Sequence, residues 1–401
     1  MDNHRLLNIL VVCSNYTPAV IYGGPISAIH RLNQAMIKAG HRVRVYTTNA
    51  NGTQDLELPQ ARPLVIDAVP VHYYPRWWFG RRRKPFALFF SPAMGHKLKE
   101  LKKGDFDLVL IHHLYGDPAR MAAQAAYRAG IPYLCYTHGL FAPFCMDLKR
   151  QKKQLYMAIV LRRILKKASG IVVCNNTETQ FLQKHNINTF VKQIPWGIDL
   201  TIDKDKPSRD QLEDAFPELK NRPFVLFLGR LHPIKGLDLL LPAFAELAKD
   251  FPEWQLVLAG PDEGGYRRNL EQLVSEAGLE KRVTFTGLVT GLNKEALLSH
   301  AEFLILPSYS EGFPLVVVEA LGFGKPVVIT TTSNVAEVEE EKVGLVVPPT
   351  KEDLMKAMRV MIGDSTLREK CSQNSRKIAK ERFSWETIVD NSLELYRRLI
   401  K

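Results

Sequence analysis

The sequence predicts an α/β protein made of two doubly wound parallel sheets, and three observations carry that expectation. Short apolar runs of strand length alternate with segments whose apolar residues recur at helical spacing, which is the pattern of strands covered on both faces by helices. The alternation lapses once, in a polar, proline-bearing stretch over residues 195–222, and then resumes. A chain of 401 residues also exceeds what one hydrophobic core usually organises.

The elements follow in order. LLNILVVCS is a buried-strand run leading into a loop with Gly23 and Gly24. Ile26, Ile29, Leu32, Met36 and Ile37 then recur as on one helix face up to Gly40, a C-cap residue, and HRVRVYTT returns as strand. DLVLIHHL, IPYLCYTHG and GIVVCNN repeat the strand pattern. Between the first two lies the helical ARMAAQAAYRAG, and after the third comes a helix whose start, Thr177 to Gln180, fits a capping box. Beyond the polar stretch come PFVLFLGR, a helix over LDLLLPAFAELAKD, WQLVLAG, a helix to Gly278 and RVTFTG. LNKEALLSHA (helix), EFLILPS, PLVVVEALGFG (helix), PVVITT and GLVVPP complete a second series. The expected domains are residues 1–197 and 198–378, both Rossmann-like, with residues 379–401 as a terminal helix crossing back to the first.

Charge divides unevenly between them. Residues 1–200 hold 27 Lys and Arg against 11 Asp and Glu; the chain totals of 54 and 42 leave 27 against 31 for the remainder. A basic half beside a slightly acidic one implies that the first faces an anionic partner. The five cysteines are scattered, without metal-binding spacing, and read as reduced thiols. No apolar run reaches the roughly 20 residues of a membrane span, and the start lacks a basic region followed by a cleavable apolar segment, so a cytoplasmic location is expected.

In open parallel sheets, ligands bind beyond the carboxyl ends of the strands, so the loops there hold the candidate chemistry. After PFVLFL comes GRLHPIKG. Gly229 lets backbone approach a ligand, while Arg230 and Lys235 suit a diphosphate; plain surface charge is the alternative. In PSYSEGFPLVVVEALG, Pro314 fits the first turn of a helix whose opening amides, near Gly312, Phe313 and Leu315, suit a phosphate. Glu311 precedes that helix and Glu319 lies within it among valines, so the two carboxylates can serve different parts of one extended ligand. A capping acid and a solvated face residue are the other reading.

These stretches, LPSYSEGFPLVVVEALGFGKPVV with GRLHPIKG upstream and the Gly23-Gly24 loop, resemble the retaining glycosyltransferases of the group-1, family-4 class, with a glycogen-synthase-like C-terminal domain. The resemblance implies the GT-B architecture, two doubly wound Rossmann-like domains facing across a cleft. It also implies transfer of a sugar from a nucleoside-diphosphate sugar, a UDP- or GDP-sugar, to a hydroxyl acceptor with retention, the leaving phosphate oxygen assisting deprotonation of the acceptor. By resemblance, Glu311 meets the transferred sugar and Glu319 the ribose. Arg230 and Lys235 hold the diphosphate, with Gly24 of the Gly23-Gly24 loop against it and amides from Gly312 to Leu315 around it. His138 of YTHG would lie beside the sugar, and Leu288 and Val289 would meet the nucleobase through backbone. His112 or His113 is a candidate for the acceptor side. Two D-x-D triplets, at Asp105 and Asp107 and at Asp203 and Asp205, precede a strand and lie in the linker; no metal and no cofactor beyond the donor is expected.

The basic character concentrates between residues 76 and 103, with nine Lys and Arg, one acid, and the rings of Trp77, Trp78, Phe79, Phe86, Phe89 and Phe90. Cations interleaved with large rings fit an anionic membrane interface, with Trp77, Trp78, Phe79, Arg81, Arg82 and Arg83 as the contact candidates. Residues 149–168 add eight cations and no acid, with Ala158, Leu161, Ile164, Leu165 and Ala168 at helical spacing; an ordinary helix packed on its own domain is the alternative there. The expected acceptor is a lipid-linked glycan or polysaccharide precursor at the inner face of the cytoplasmic membrane. Two other functions stay open at this point, a nucleotide-sugar 2-epimerase and a basic nucleic-acid-binding protein, although no nucleic-acid module is recognisable.

Overall fold

Nearly every expected strand is present, because a run of β-branched and apolar residues covered on both faces has no polar alternation to disguise it. The computed structural model describes residues 5–19, 24–58, 63–79, 84–85, 89–142, 150–200 and 206–400. The chain divides into one unit of residues 1–197 with 385–401 and a second of residues 198–384.

In the first unit, β1 (Asn8–Val12), α1 (Gly24–Lys38) and β2 (Arg42–Thr48) form the opening strand-helix-strand. There follow β3 (Leu64–Ile66), β4 (Val69–Tyr74), α2 (Pro92–Lys99), β5 (Leu108–Ile111), α3 (Asp117–Ala129) and β6 (Tyr133–Tyr136). A longer helix, α4, runs from Arg150–Tyr156 through a π-helical turn, Met157–Leu161, to Arg162–Lys167; β7 (Gly170–Val173), α5 (Asn176–Lys184) and β8 (Val191–Gln193) complete the series. The strand order is β8-β7-β6-β5-β1-β2-β4-β3, parallel except for the antiparallel pair β3 and β4. The chain therefore switches direction between β1 and β5.

In the second unit, α6 (Arg209–Ala215) precedes β9 (Phe224–Leu228), α7 (Leu237–Asp250), β10 (Gln255–Ala259), α8 (Tyr266–Glu276), β11 (Val283–Gly287) and α9 (Gly291–His300). After them come β12 (Phe303–Leu306), α10 (Leu315–Gly322), β13 (Val327–Thr330), α11 (Glu337–Glu340), β14 (Gly344–Val347), α12 (Lys351–Gly363) and α13 (Ser365–Phe383). All six strands are parallel in the order β11-β10-β9-β12-β13-β14, with the switch between β9 and β12. Each unit has its own apolar core.

Several expectations change. Residues 379–401 are not one helix: α13 ends at Phe383, Ser384 is extended, and α14 (Trp385–Leu399) packs on α1 in the first unit. The linker contains α6, started by a capping box in which Ser208 and Gln211 exchange hydrogen bonds. Helix α5 is capped by Asn175, whose Oδ1 accepts the Glu178 amide, and not by Thr177. Within α4, which contains the π turn, Met157, Leu161, Ile164 and Leu165 are buried while Ala158, expected on the apolar face, faces solvent. Pro314 is the N-cap of α10 and not its first turn.

Candidate active site

The topological switch point of the second unit lies between β9 and β12, and the loops leaving these two strands carry the glycine-basic and Glu-Gly-Phe-Pro motifs. Local sequence shapes the first loop. His232 Nδ1 accepts the Ile234 amide at 3.1 Å and starts a short 3₁₀ turn, Pro233–Lys235, which Gly236 ends at φ 68°. A Cβ at Gly236 would lie 2.1 Å from the Pro307 carbonyl oxygen, so glycine is required both by the left-handed backbone and by the approach of the second loop. Gly260, ending β10, is as tightly placed, its would-be Cβ 1.8 Å from the Gly229 carbonyl oxygen. The Tyr309 amide donates to the Ile234 carbonyl at 2.8 Å, tying the two loops together.

That tie brings two sequence candidates into contact. Lys235 Nζ donates to Glu311 Oε1 at 2.6 Å, with the side chains only 15% and 10% exposed. Ser308 Oγ donates to the same carboxylate oxygen at 2.5 Å, and the Glu311 backbone is held from the turn after β13, its amide on the Thr332 carbonyl and its carbonyl on Asn334 Nδ2. Arg230 is more exposed and pairs with Glu263 from the β10 loop. Glu319, half-buried on α10, accepts from Lys294 of α9 at 2.7 Å. Gly312, Phe313 and Leu315 are half-buried around the buried Pro314 that opens α10, where first-turn amides have no carbonyl within their own helix. Leu288, beyond β11, is exposed, and the neighbouring Val289 is buried.

The first unit has its own switch point, between β1 and β5, and unsatisfied polar atoms gather at the strand ends around it. Ser14 Oγ and Asn15 Oδ1 follow β1; His112 Nε2, His113 Nδ1 and Asp117 Oδ2 follow β5; His138 Nδ1 follows β6. All six are buried without a hydrogen-bond partner among the described residues. His113 and His138 both adopt the left-handed backbone, at φ 54° and 55°. Such conformations cost of order 1–3 kcal/mol and gather at functional sites.

His112 Nδ1 and His138 Nε2 are 2.7 Å apart, with ring planes within 7° and centroids 4.9 Å apart. That separation is filled by two ring radii and one hydrogen bond, so the imidazoles lie edge to edge in one plane. The Trp196 ring stacks on His138 with centroids 4.7 Å apart. Burial holds both His112 and His138 well below the ordinary histidine range, and His113 at about 4, so all three are neutral near pH 7. A neutral pair sharing one hydrogen bond leaves one outer nitrogen a donor and the other an acceptor.

The loop carrying His138 is braced from below by Glu178. Its carboxylate accepts Thr137 Oγ1 at 2.7 Å, the Cys174 amide at 3.0 Å and the Phe141 amide at 3.5 Å. Sequence reasoning missed Glu178, Ser308, Glu263 and Lys294. The first D-x-D triplet stands at the opposite, amino end of β5, where Asp105 accepts the Lys102 amide at 2.9 Å and Asp107 the Asn8 amide at 2.8 Å. Arg76 is buried and internally paired, its Nε 2.5 Å from Asp55, and does not belong to a solvent-facing cationic surface. Trp77 is exposed. Gly23, Arg81, Arg82, Arg83, Asp203, Asp205 and the side chains of Trp78 and Phe79 lie outside the described residues. Gly24 is the first residue of α1.

Residues 208–378 match the family model described as glycosyl transferases group 1, and residues 22–202 match glycosyltransferase family 4. The chain belongs to the group-1, family-4 glycosyltransferases. Among relatives of this glycosyltransferase, an uncharacterised glycosyltransferase of Methanocaldococcus jannaschii is 23% identical, with 98% of each chain covered. A phosphatidyl-myo-inositol mannosyltransferase of Mycobacterium leprae is 27% identical over 93% of this chain and 92% of its own. In structure, Anabaena HepE, crystallised with UDP and glucose, matches with a TM-score of 0.74 at 21% identity, covering 98% of this chain and all of that one. The GT-B fold expected from the motifs is therefore the fold of this glycosyltransferase, and both matched families are described as transferases, which leaves the epimerase alternative without support.

Proposed function

We propose that this glycosyltransferase moves a sugar from a nucleoside-diphosphate sugar to a hydroxyl acceptor with retention and without a metal. The observation that carries the reading is the Lys235 and Glu311 pair at the switch point of the second sheet, an ammonium and a carboxylate in one half-buried site. Lys235 and Arg230 would neutralise the leaving diphosphate together with the amides from Gly312 to Leu315, as charge building on a leaving group requires. Glu311 would meet the transferred sugar, Glu319 the ribose and the backbone at Leu288 the base; Gly24 and His138 would contribute from the first unit. HepE holding UDP and glucose supports a nucleotide-sugar donor. The leaving phosphate oxygen then takes the acceptor proton on the same face, so no side chain has to act as nucleophile.

The acceptor in this reading is lipid-borne, and the enzyme works at an anionic membrane surface. The mannosyltransferase relative supports it by the phosphatidyl-myo-inositol in its name, and the exposed Trp77 beside a cation-rich segment supports it physically. No helix among the described residues is long and apolar enough to cross a membrane.

A thermal-shift screen against UDP-, GDP- and ADP-sugars tests the donor site, since a ligand held only by the folded state raises Tm. One of them should stabilise the wild type, and Lys235→Ala should abolish that shift. A shift unchanged in Lys235→Ala would refute the phosphate assignment.

A further inference from the structure

The outer surface of the first unit has a feature that neither donor nor acceptor chemistry uses. Two grooves flank α3. One, of about 320 Å³, runs between α3 and the π-helical turn of α4, floored by Ala123, Tyr133, Val160 and Ile164. The other, of about 300 Å³, runs between α3 and α2, floored by Leu98, Met121 and Ala125. They share Arg120 and Gln124 on the ridge between them. Large apolar side chains stand exposed beside the first groove: Tyr127 at 59%, Leu155 at 62% and Ile159 at 51%.

The rim is cationic. Arg162, Arg163 and Lys166 are exposed and form no ion pair among the described residues, and Lys167 sits with its ammonium 4.0 Å from the centre of the Tyr127 ring. Lys99 and Arg128 edge the second groove. Among the described residues, the acids nearby are Asp117, which pairs with Arg120 at 2.7 Å, and Glu100, which pairs with Lys97 at 2.6 Å; α4 has none. The π turn forms one wall of this surface. In it Ile159 faces outward and Val160 lines the groove wall.

We propose that this face docks the enzyme on a bilayer, with the groove between α3 and the π turn taking an acyl chain of an anionic phospholipid whose headgroup meets Arg163 and Lys167. The inference rests on the membrane reading above and moves the principal contact from Trp77 to α3 and α4. Apolar floor, exposed apolar side chains and cations without ion pairs on one surface match an anionic amphiphile; a nucleic acid would use the cations and leave the grooves empty.

The full-length protein is sedimented with vesicles of phosphatidylglycerol and phosphatidylcholine, beside vesicles of phosphatidylcholine alone, at low and high salt. Wild type should bind only the anionic vesicles, and less at high salt. Arg163→Glu with Lys167→Glu should weaken binding by about tenfold or more, from the known worth of basic residues at such surfaces. Tyr127→Trp should be quenched by vesicles whose acyl chains are brominated, which a contact through headgroups alone would not produce. Thermal denaturation of each variant establishes that it is folded. Binding unchanged in the charge-reversed variant, an unquenched Trp at position 127, or single-stranded RNA bound more tightly than vesicles at equal salt would each overturn the proposal. If Trp77→Ser removes binding and the charge reversal does not, the docking face is wrong while a membrane-bound enzyme stands. If no vesicle is bound, both fail, and the donor assignment is untouched.

Discussion

Replacing Glu178 by Gln asks whether one buried carboxylate holds the His138 loop in place. In the wild type, Oε2 accepts Thr137 Oγ1 and the Cys174 amide at 2.7 and 3.0 Å, while Oε1 faces the Phe141 amide at 3.5 Å. A glutamine oxygen can take the Oε2 position and keep two bonds as neutral ones. Its NH₂ then meets the Phe141 N–H donor to donor. Weakening two charge-assisted bonds by about half and orphaning one amide costs about 3 kcal/mol, and relief of a buried charge returns part of it, for a net loss of about 1–3 kcal/mol. For a unit of this size that lowers Tm by roughly 2–4 °C per kcal/mol. The pH dependence gives the sharper readout. Burial raises the Glu178 carboxyl above its ordinary 4.5, and the bonds from Thr137 and the Cys174 amide offset only part of the rise. Between 4.5 and that raised value the folded protein keeps a proton that the unfolded chain releases, so wild-type stability falls as pH rises through this window. Glutamine has no such proton. The stability gap between wild type and Glu178→Gln, from denaturant melts at several pH values, should therefore be widest on the acid side and narrow upward. A gap that widens with pH would mean the carboxylate is stabilised as an anion, and the account of this brace would be wrong. A fall in kcat/KM along with stability would tie the brace to His138.

Other outcomes follow from the same geometry. Gly236→Ala forces a Cβ to 2.1 Å from the Pro307 carbonyl oxygen at φ 68°, and should cost several kcal/mol and the nucleotide-induced thermal shift, measured by calorimetry with and without nucleotide. Tyr396→Phe removes the hydroxyl partner of Tyr136 and should lower stability by about 1–2 kcal/mol in denaturant melts, loosening α14 from the first sheet. Nitrogen NMR on histidine-labelled protein at pH 7 should find one proton between His112 Nδ1 and His138 Nε2, with both rings neutral; two imidazolium signals would refute the burial argument. Lys294→Ala should weaken nucleotide binding less than Lys235→Ala, because Glu319 is about a third exposed and stays solvated alone.

The sequence made the second unit legible because its strands are covered on both faces and its loops obey local rules: a glycine where backbone must turn left-handed, a proline opening a helix. What it hid were features without local periodicity. The strand Val69–Tyr74, one in from the sheet edge, alternates buried and half-buried residues, a weaker signal than a solid apolar run. Helix Arg209–Ala215 lay inside a polar stretch, readable only from Ser208 and Gln211. The π turn left no mark in composition, and Met157, not Ala158, takes the buried position on α4. Glu178 contacts Thr137 from 41 residues away, and Lys294 contacts Glu319 from 25, distances at which no motif joins the partners.

The charge balance of the second half has a structural reason. Each cation identified at its switch point or on the neighbouring helix is matched by a carboxylate: Arg230 by Glu263, Lys235 by Glu311, Lys294 by Glu319. A diphosphate entering the proposed site must take cations from these carboxylates, and the pairs differ in what that exchange costs. Arg230 and Glu263 are 56% and 44% exposed, so their separation costs little, on the order of 0.2–1 kcal/mol. Lys235 and Glu311 are nearly enclosed, and parting them without a new anion would leave two poorly solvated charges, a loss near the lower end of the roughly 3–5 kcal/mol for buried pairs. The phosphate supplies that anion to Lys235, while Ser308 keeps its bond to Glu311. The freed carboxylate would then have one strong donor left and room for another, which a sugar hydroxyl would provide in the proposed site. In the proposed site Lys235 would thus couple the two halves of the donor: phosphate on the lysine would make Glu311 available to the sugar.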